Sequence, residues 1–224
     1  TDLAATLDAW IAGRGAPARP VYLMVHGYLY DPASDMDFSS ESPFGTIYGT
    51  PNPPTLAHNL SWLPLVGECG DDGAAGADNA IAFAYTSDAK AADFAKAGWS
   101  MRYQYAVFDL APLAARALAT VIAYLGTKPV TIRIIAHSLG TRTTSQALGL
   151  LQGRVPANLE RMVLLDGAEF CVDARDNLLA KGFDVFNIVN GTDRVLMLGG
   201  QKTLHPIRAN NSLEACSIGF TGLC

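Results

Sequence analysis

Ser138 is the residue whose neighbours best equip it for chemistry. It lies in the pattern Ala136-His137-Ser138-Leu139-Gly140, between an apolar, β-branched run at 130–136 and a helix-like segment at 141–151. A chain that leaves a strand and enters a helix so abruptly holds its serine in a strained conformation, and small residues must flank it. The helix N-terminus also favours a developing negative charge. The pattern predicts a nucleophilic serine, with a chance match at a helix start as the alternative.

A serine hydroxyl needs a base, and the base needs an acid to orient it. The chain has four histidines, of which only His205 follows Ser138, as the order serine, acid, histidine requires. We therefore predict His205 as the base, with a surface histidine as the alternative. Asp193 follows the last predicted strand and precedes His205, so we predict it as the acid. Asp166, just past the preceding strand, is the alternative acid.

A second pattern is an apolar strand at 20–25 that runs directly into His26-Gly27-Tyr28. Glycine at this point lets the backbone turn sharply, so that the following N–H groups can face a reacting centre. The backbone N–H groups of Tyr28 and Leu139 are therefore predicted to form an oxyanion hole. We expect His26, Gly27 and His137 to lie against the substrate.

Alternating strands and helices must position these residues. Strands are predicted at 20–25, 80–85, 130–136, 161–165 and 184–189, and helices at 3–12, 104–125, 141–151 and 174–181, with a kink or helix start near Pro112. The strands are nearly continuous in hydrophobicity. This predicts an α/β fold with a mostly parallel open sheet and helices on both faces. The carboxyl ends of its strands would gather the reactive groups.

Residues 1–224 are predicted to form one domain, in which 29–79 is a long insertion after the first strand. Proline and glycine interrupt every regular pattern there, and connections of this length tend to be functional. We expect a lid or pocket wall. Its apolar residues would contact the substrate or pack the loop onto the sheet (Phe38, Phe44, Tyr48, Trp62 and Leu63).

Composition excludes several classes of partner. The 224 residues are 50% hydrophobic and 17% charged, with a net charge of -5, which suits a globular protein and gives no basic footprint for nucleic acid or an anionic membrane. No continuous apolar stretch is long enough to predict a membrane span. The start of the chain, which lacks Met and a signal-like segment, predicts a processed or shortened form.

The four cysteines, Cys69, Cys171, Cys216 and Cys224, lack C-x-x-C spacing, so no zinc site is predicted. The loop aspartates lack an ordered calcium-ligand spacing. We therefore expect no metal. The even cysteine count predicts one or two disulfides and a secreted or periplasmic location. Four free thiols and a cytoplasmic location are the alternative.

Three motifs carry a family resemblance: 25–28 at the first strand, 135–140 at the serine, and 189–193 at the predicted acid. Together they resemble the serine hydrolases of the α/β-hydrolase superfamily. The serine turn is similar to that of some small bacterial lipases, and 135–142 is similar to a group of uncharacterised bacterial hydrolase-fold proteins. The resemblance implies a Ser-His-Asp esterase without a cofactor, acting on a small-molecule or polymeric ester.

The tail departs from that family. A final strand, the catalytic histidine and a last helix are expected there, whereas 196–224 contains Gly199-Gly200, Pro206 and Asn210-Asn211 instead. Either His205 comes from an irregular loop, or a missing or separate C-terminal segment supplies the base.

The leading prediction is ester hydrolysis through an acyl-enzyme on Ser138. The alternatives are a catalytically impaired binding protein and an acyltransferase using the same serine. The sequence predicts neither the acyl and alcohol specificity nor the oligomeric state.

Overall fold

A computed structural model describes residues 2–14, 20–28, 30–32, 62, 79–88, 99–178 and 182–189. The strands are β1 (Val21–Val25), β2 (Ala80–Phe83), β3 (Ile132–His137), β4 (Leu159–Leu165) and β5 (Asp184–Ile188). The helices are α1 (Leu3–Gly13), α2 (Trp99–Tyr105), α3 (Ala111–Gly126), α4 (Leu139–Leu150) and α5 (Cys171–Leu178). Each strand and helix predicted from the sequence is present, with shifted ends.

The five strands form one parallel sheet in the order β2-β1-β3-β4-β5. The predicted parallel sheet and α/β class are therefore confirmed. The chain passes from β1 outward to β2, then returns across β1 to β3 and continues in that direction. The strand order thus reverses between β1 and β3, and ligands of open parallel sheets bind outside the carboxyl ends of strands at such a point.

The main core lies on one face of the sheet. Val21, Leu23 and Val25 of β1 alternate with residues of the other face and are fully buried, as are Ile132 and Ile134 of β3. Helices α3, α4 and α5 pack on this core, together with Trp10 and Ile11 of α1. Three crossovers that proceed in one direction and share the usual right-handedness place their helices on one face. Among the described residues no helix packs on the second face, so the predicted placement of helices on both faces stays a prediction.

A π-helical segment, Ala106–Leu110, joins α2 to α3. The N–H of Ala111 donates to the carbonyl of Ala106, and Pro112 follows within the first turn of α3. In a π-helix the carbonyl of Val107 would accept from residue 112, but proline has no N–H. The irregularity predicted near Pro112 is therefore present, and it leaves the Val107 carbonyl to another donor.

The continuous helix Arg102–Gly126 is long and apolar enough to cross a membrane by length and composition. Its residues Ala115, Leu118, Ile122 and Leu125 are fully buried in the main core. A core helix passes the same test, so the expected absence of a membrane span stays a prediction.

Candidate active site

Ser138 joins the central strand β3 to helix α4, with a backbone φ of 49° and ψ of -120°. Its N–H donates to the Leu165 carbonyl at 2.9 Å, and its carbonyl accepts from the N–H groups of Thr141 at 3.0 Å and Ala168 at 2.9 Å. A positive φ costs a non-glycine residue free energy and persists only where its surroundings impose it. Here β4 and the turn after it hold both polar groups of the strained residue.

Two glycines allow the close approach of β1 to this turn. A Cβ on Gly140 would collide with the backbone carbonyl oxygens of Val25 and His26. A Cβ on Gly27 would lie 3.0 Å from Ser138 Cβ and 3.0 Å from His137 Nδ1. The small residue predicted two after the serine is therefore needed because the start of α4 packs directly on the end of β1. Gly27 lies next to the serine, and its predicted contact with substrate stays a prediction.

The chain after β2 supports the chain after β1, and we call His26, Tyr85 and Ser87 the β1-turn support. Ser87 Oγ donates to the Gly27 carbonyl at 2.8 Å. The Tyr85 N–H donates to His26 Nε2 at 3.1 Å, and the Tyr85 hydroxyl donates to the His26 carbonyl at 3.1 Å. These bonds tie the His26-Gly27-Tyr28 turn to the neighbouring strand end.

The His26 ring is fully buried between the rings of Tyr30 and Tyr85, whose centroids lie 4.5 Å and 4.3 Å away. Its Nδ1 lies 2.9 Å from the Gly27 carbonyl. Because that carbonyl can only accept and Nε2 accepts from Tyr85, the proton is on Nδ1. Burial lowers the pKa of His26 to about 4, so the ring is neutral. This position argues against the expected contact of the His26 side chain with substrate, because the ring is fully buried and both ring nitrogens bond within the protein.

The two predicted oxyanion donors lie at the ends of β1 and β3. Leu139 is the first residue of α4 and is fully buried, and the first N–H groups of a helix have no acceptor within it. Tyr28 is half-buried, with its ring edge-on to Tyr103 at 5.1 Å. Burial raises the pKa of the Tyr28 hydroxyl, which therefore stays protonated.

The predicted acid and base lie outside the described residues, whereas the alternative acid lies within them. Asp193 and His205 lie outside the described residues, so the complete triad stays a prediction. Asp166, the alternative acid, directly follows β4 with a φ of 47°. Its N–H donates to the Ile188 carbonyl at 3.1 Å. Ser138 and Asp166 are thus strained non-glycine residues at the carboxyl ends of adjacent strands, where functional strain tends to be found.

His137 is partly exposed and lies beside Trp62, whose ring is edge-on at a centroid distance of 6.0 Å. Trp62 also packs with Met24 on the second face of the sheet. One residue of the predicted 29–79 insertion therefore lies close to the serine turn. The predicted substrate contact of His137 stays a prediction, as does the lid, since most of 29–79 is outside the described residues.

A buried charged network under α4 was not predicted, and we call Arg142, Glu169 and Asp173 the guanidinium cluster. Arg142 Nη1 lies 2.6 Å from Glu169 Oε1 and 3.4 Å from Asp173 Oδ2. The Arg142 side chain is 7% exposed and that of Glu169 is 0% exposed. Arg142 Nε donates at 2.9 Å to the Val107 carbonyl, the one that Pro112 leaves without a helical donor.

The guanidinium cluster also grips the turn that follows β4. Glu169 Oε1 accepts from the Phe170 N–H at 2.9 Å, and the Arg142 guanidinium lies over the rings of Phe108 and Phe170 at 5.6 Å and 5.2 Å. Burial raises the pKa of Glu169 to about 7. The sequence signal for this network is the polar run Thr141-Arg142-Thr143-Thr144-Ser145 in the helix after Ser138, all of which is buried in the structure.

The described residues add no metal ligands to this constellation, and the cavity that they line lies elsewhere. Within the described ranges, no group of three or more His, Cys, Asp and Glu side chains could hold a metal ion. A cavity of about 590 Å³, lined by Thr131, Arg133 and Glu160 among others, lies at the amino ends of the strands, opposite Ser138.

Cys171 is buried at the start of α5, and the other three cysteines are outside the described residues. The predicted disulfides and the predicted secreted or periplasmic location therefore stay predictions.

No protein-family model, curated protein or solved structure matches this chain. Its function is therefore inferred from the residues of the site.

Proposed function

We propose that the chain is a serine hydrolase with a hydrolase-like fold, which cleaves carboxylic esters through an acyl-enzyme on Ser138. The observation that carries the proposal is the backbone of Ser138, strained at φ 49° and ψ -120° between the central strand and a helix. Strained backbone of this kind clusters at functional sites. A nucleophile gains exposure of its hydroxyl at the top of the sheet.

Three neighbouring features support the same reading. Ser138 lies where the strand order reverses, at the crevice that ligands of such sheets occupy. Gly140 and Gly27 bring the start of α4 and the end of β1 together. Leu139 and Tyr28 lie on the two segments that meet at the serine, which supports the proposal that their N–H groups form an oxyanion hole.

In the proposed reaction, Ser138 Oγ attacks the acyl carbon while the base, His205, takes the hydroxyl proton. Asp193 orients the base, with Asp166 as the alternative acid. The Leu139 and Tyr28 N–H groups hold the oxyanion of the tetrahedral intermediate. The alcohol leaves with the proton from the base. A water molecule, deprotonated by the same base, then releases the acyl group and restores the serine.

Hydrolysis of p-nitrophenyl butyrate by wild type and Ser138→Ala tests the proposal. We expect the variant to lose about a thousandfold or more in kcat/KM, because the covalent step is removed. Thr120→Ala, which removes an exposed hydroxyl from α3, is the matched control and should retain the wild-type rate. Equal rates in wild type and Ser138→Ala would refute the serine mechanism.

Two further measurements separate the alternatives. A fluorophosphonate forms an adduct only with an activated serine, so absence of label on wild-type Ser138 would favour a binding protein without turnover. Addition of a simple alcohol to the ester assay separates acyl transfer from hydrolysis, because a transferase forms a new ester at the expense of free acid.

A further inference from the structure

The peptide that joins Gly27 to Tyr28 carries two groups with different tasks. In a planar trans peptide the C=O and the N–H point in opposite directions. The Gly27 carbonyl accepts from Ser87 Oγ at 2.8 Å and from His26 Nδ1 at 2.9 Å. Two donors on one side of the peptide therefore fix the direction of the Tyr28 N–H on the other side.

We propose that Ser87 is a positioning residue, whose hydroxyl holds the Gly27 carbonyl so that the Tyr28 N–H is aimed at the oxyanion. This inference rests on the proposed ester hydrolysis and assigns a task to a residue outside the predicted serine, histidine and aspartate. Ser87 touches neither the substrate nor the reacting atoms and acts through the peptide plane.

The surroundings of Ser87 fit this task. The residue is fully buried, and its hydroxyl accepts from the Tyr30 N–H at 3.0 Å while its own N–H donates to the Tyr30 carbonyl at 2.8 Å. The hydroxyl has one proton, and the Gly27 carbonyl at 2.8 Å is a nearer acceptor than the Tyr30 carbonyl at 3.2 Å. Ser87 therefore closes both ends of the turn after β1 against the end of β2.

The same segment is anchored before and after Ser87. Tyr85 bonds the His26 ring and the His26 carbonyl. Asp88, whose side chain is 2% exposed, forms an ion pair with Arg102 of α2. A support fixed at both ends can hold a carbonyl in one direction before the oxyanion forms, and electrostatic stabilisation of a transition state depends on such preorganisation.

Ser87→Ala removes one of the two donors to the Gly27 carbonyl and retains nearly the whole side-chain volume. Complete loss of an oxyanion donor costs about a hundred- to a thousandfold in rate. A misaimed donor costs less, so we expect kcat to fall about 10- to 100-fold while KM changes less than about twofold. Ground-state ester binding does not depend on the oxyanion, whereas a general loosening of the fold would alter KM as well.

The experiment measures the rate of fluorophosphonate labelling of Ser138 and the kcat and KM for p-nitrophenyl butyrate in full-length wild type, Ser87→Ala and Thr86→Ala. Thr86 is exposed and adjacent in the chain, so Thr86→Ala is the matched control and should behave as wild type. We expect Ser87→Ala to label 10- to 100-fold more slowly, with a melting temperature lowered by only about 2 to 8 °C, because two neutral hydrogen bonds are lost. Ser87→Cys, which retains a weak donor of similar size, should fall between the alanine variant and wild type.

Each outcome has a distinct meaning. A labelled, active wild type with an equally fast Ser87→Ala overturns the positioning role and leaves the proposed function standing. A fall in kcat together with a comparable rise in KM, and a fall in melting temperature larger than the lost hydrogen bonds explain, assigns a structural role and also overturns the proposal. If wild-type Ser138 neither labels nor turns over the ester, the proposed function fails and the inference fails with it.

Discussion

The two supports that flank Ser138 are built from different chemistry. On the β1 side, the β1-turn support consists of neutral hydrogen bonds from Tyr85 to His26 and from Ser87 to Gly27. On the α4 side, the guanidinium cluster is a buried ion pair between Arg142 and Glu169. Both are buried, and both hold turns at the carboxyl ends of strands. In our proposal the β1-turn support sets the direction of the Tyr28 N–H, whereas the guanidinium cluster holds packed elements together.

The free energies expected for a neutral hydrogen bond and for a buried ion pair fit these two roles. A neutral hydrogen bond contributes about 0.5 to 1.5 kcal/mol to the free energy of folding, so loss of one misaims a peptide without unfolding the protein. Removal of one partner from a buried ion pair costs about 3 to 5 kcal/mol, because the other charge is left without compensation. The guanidinium cluster joins the π-helical segment, α4 and the turn after β4, and its loss should weaken the whole packing behind the serine.

The largest expected effect on stability comes from the guanidinium cluster. Arg142→Met should lower the free energy of unfolding by about 3 to 5 kcal/mol at pH 8, because the Glu169 carboxylate then lies buried without its partner. At pH 5 the loss should be smaller, since burial raises the Glu169 pKa to about 7 and the carboxyl can take a proton. Urea unfolding at the two pH values measures the difference.

Arg175→Met is the control for that variant. Arg175 lies 3.5 Å from Asp176, with both side chains more than half exposed, and exposed pairs contribute about 0 to 1 kcal/mol. Equal losses in the two variants, or no pH dependence for Arg142→Met, would contradict the role assigned to the guanidinium cluster.

The second effect is the pH dependence of the stability that His26 of the β1-turn support contributes. The folded-state pKa of His26 is about 4, below the usual 6.5, so the unfolded chain binds the proton more readily. The contribution of neutral His26 to the free energy of unfolding is complete above pH 6.5. It is lost as the pH falls towards 4, to a total of about 3 kcal/mol. Glu169 has the opposite sign: its raised pKa stabilises the fold below pH 4.5, and this is lost as the pH rises through 7.

Urea unfolding between pH 4 and 7 in a Glu169→Gln background isolates the His26 effect. We expect stability to rise with pH in that background and the rise to be reduced in Glu169→Gln with His26→Gln. A rise of equal size in both proteins would show that His26 is not the group responsible.

The third effect tests the contact that both supports maintain. Gly140→Ala places a Cβ against the Val25 and His26 carbonyl oxygens, which should cost about 1 to 3 kcal/mol in unfolding free energy. Gly13→Ala in α1 is the matched control, because its Cβ would meet nothing within 4 Å, and helix propensity predicts a gain of about 0.5 to 1 kcal/mol. Thermal unfolding of both variants should therefore show shifts of opposite sign, and a neutral Gly140→Ala would contradict the close packing.

The sequence predicts the scaffold well because its signals are local. The apolar runs at β1 and β3 each end at a turn, and the small residues in these turns predict a sharp change of backbone direction. The strained backbone of Ser138 and the close packing of Gly140 agree with that pattern. The same locality explains why strand and helix existence is predicted better than strand and helix ends.

The supports could not be predicted, because they depend on pairings between distant residues. Ser87 meets Gly27 across 60 positions, and Glu169 meets Arg142 across 27. His26 is instructive, since a histidine after a strand beside a serine turn suggests substrate contact. Only the tertiary structure shows its ring stacked between Tyr30 and Tyr85.

The central claim is that Ser138 is a nucleophile, and trapping its acyl-enzyme tests this most directly. Wild-type protein is mixed with p-nitrophenyl butyrate, quenched in acid within the first turnover and digested for mass spectrometry. We expect one butyryl group on the Ser138 hydroxyl, which disappears when the substrate is exhausted before the quench, and none on Ser138→Ala. A butyryl group on another residue, or turnover without any adduct on Ser138 at early times, would contradict the claim.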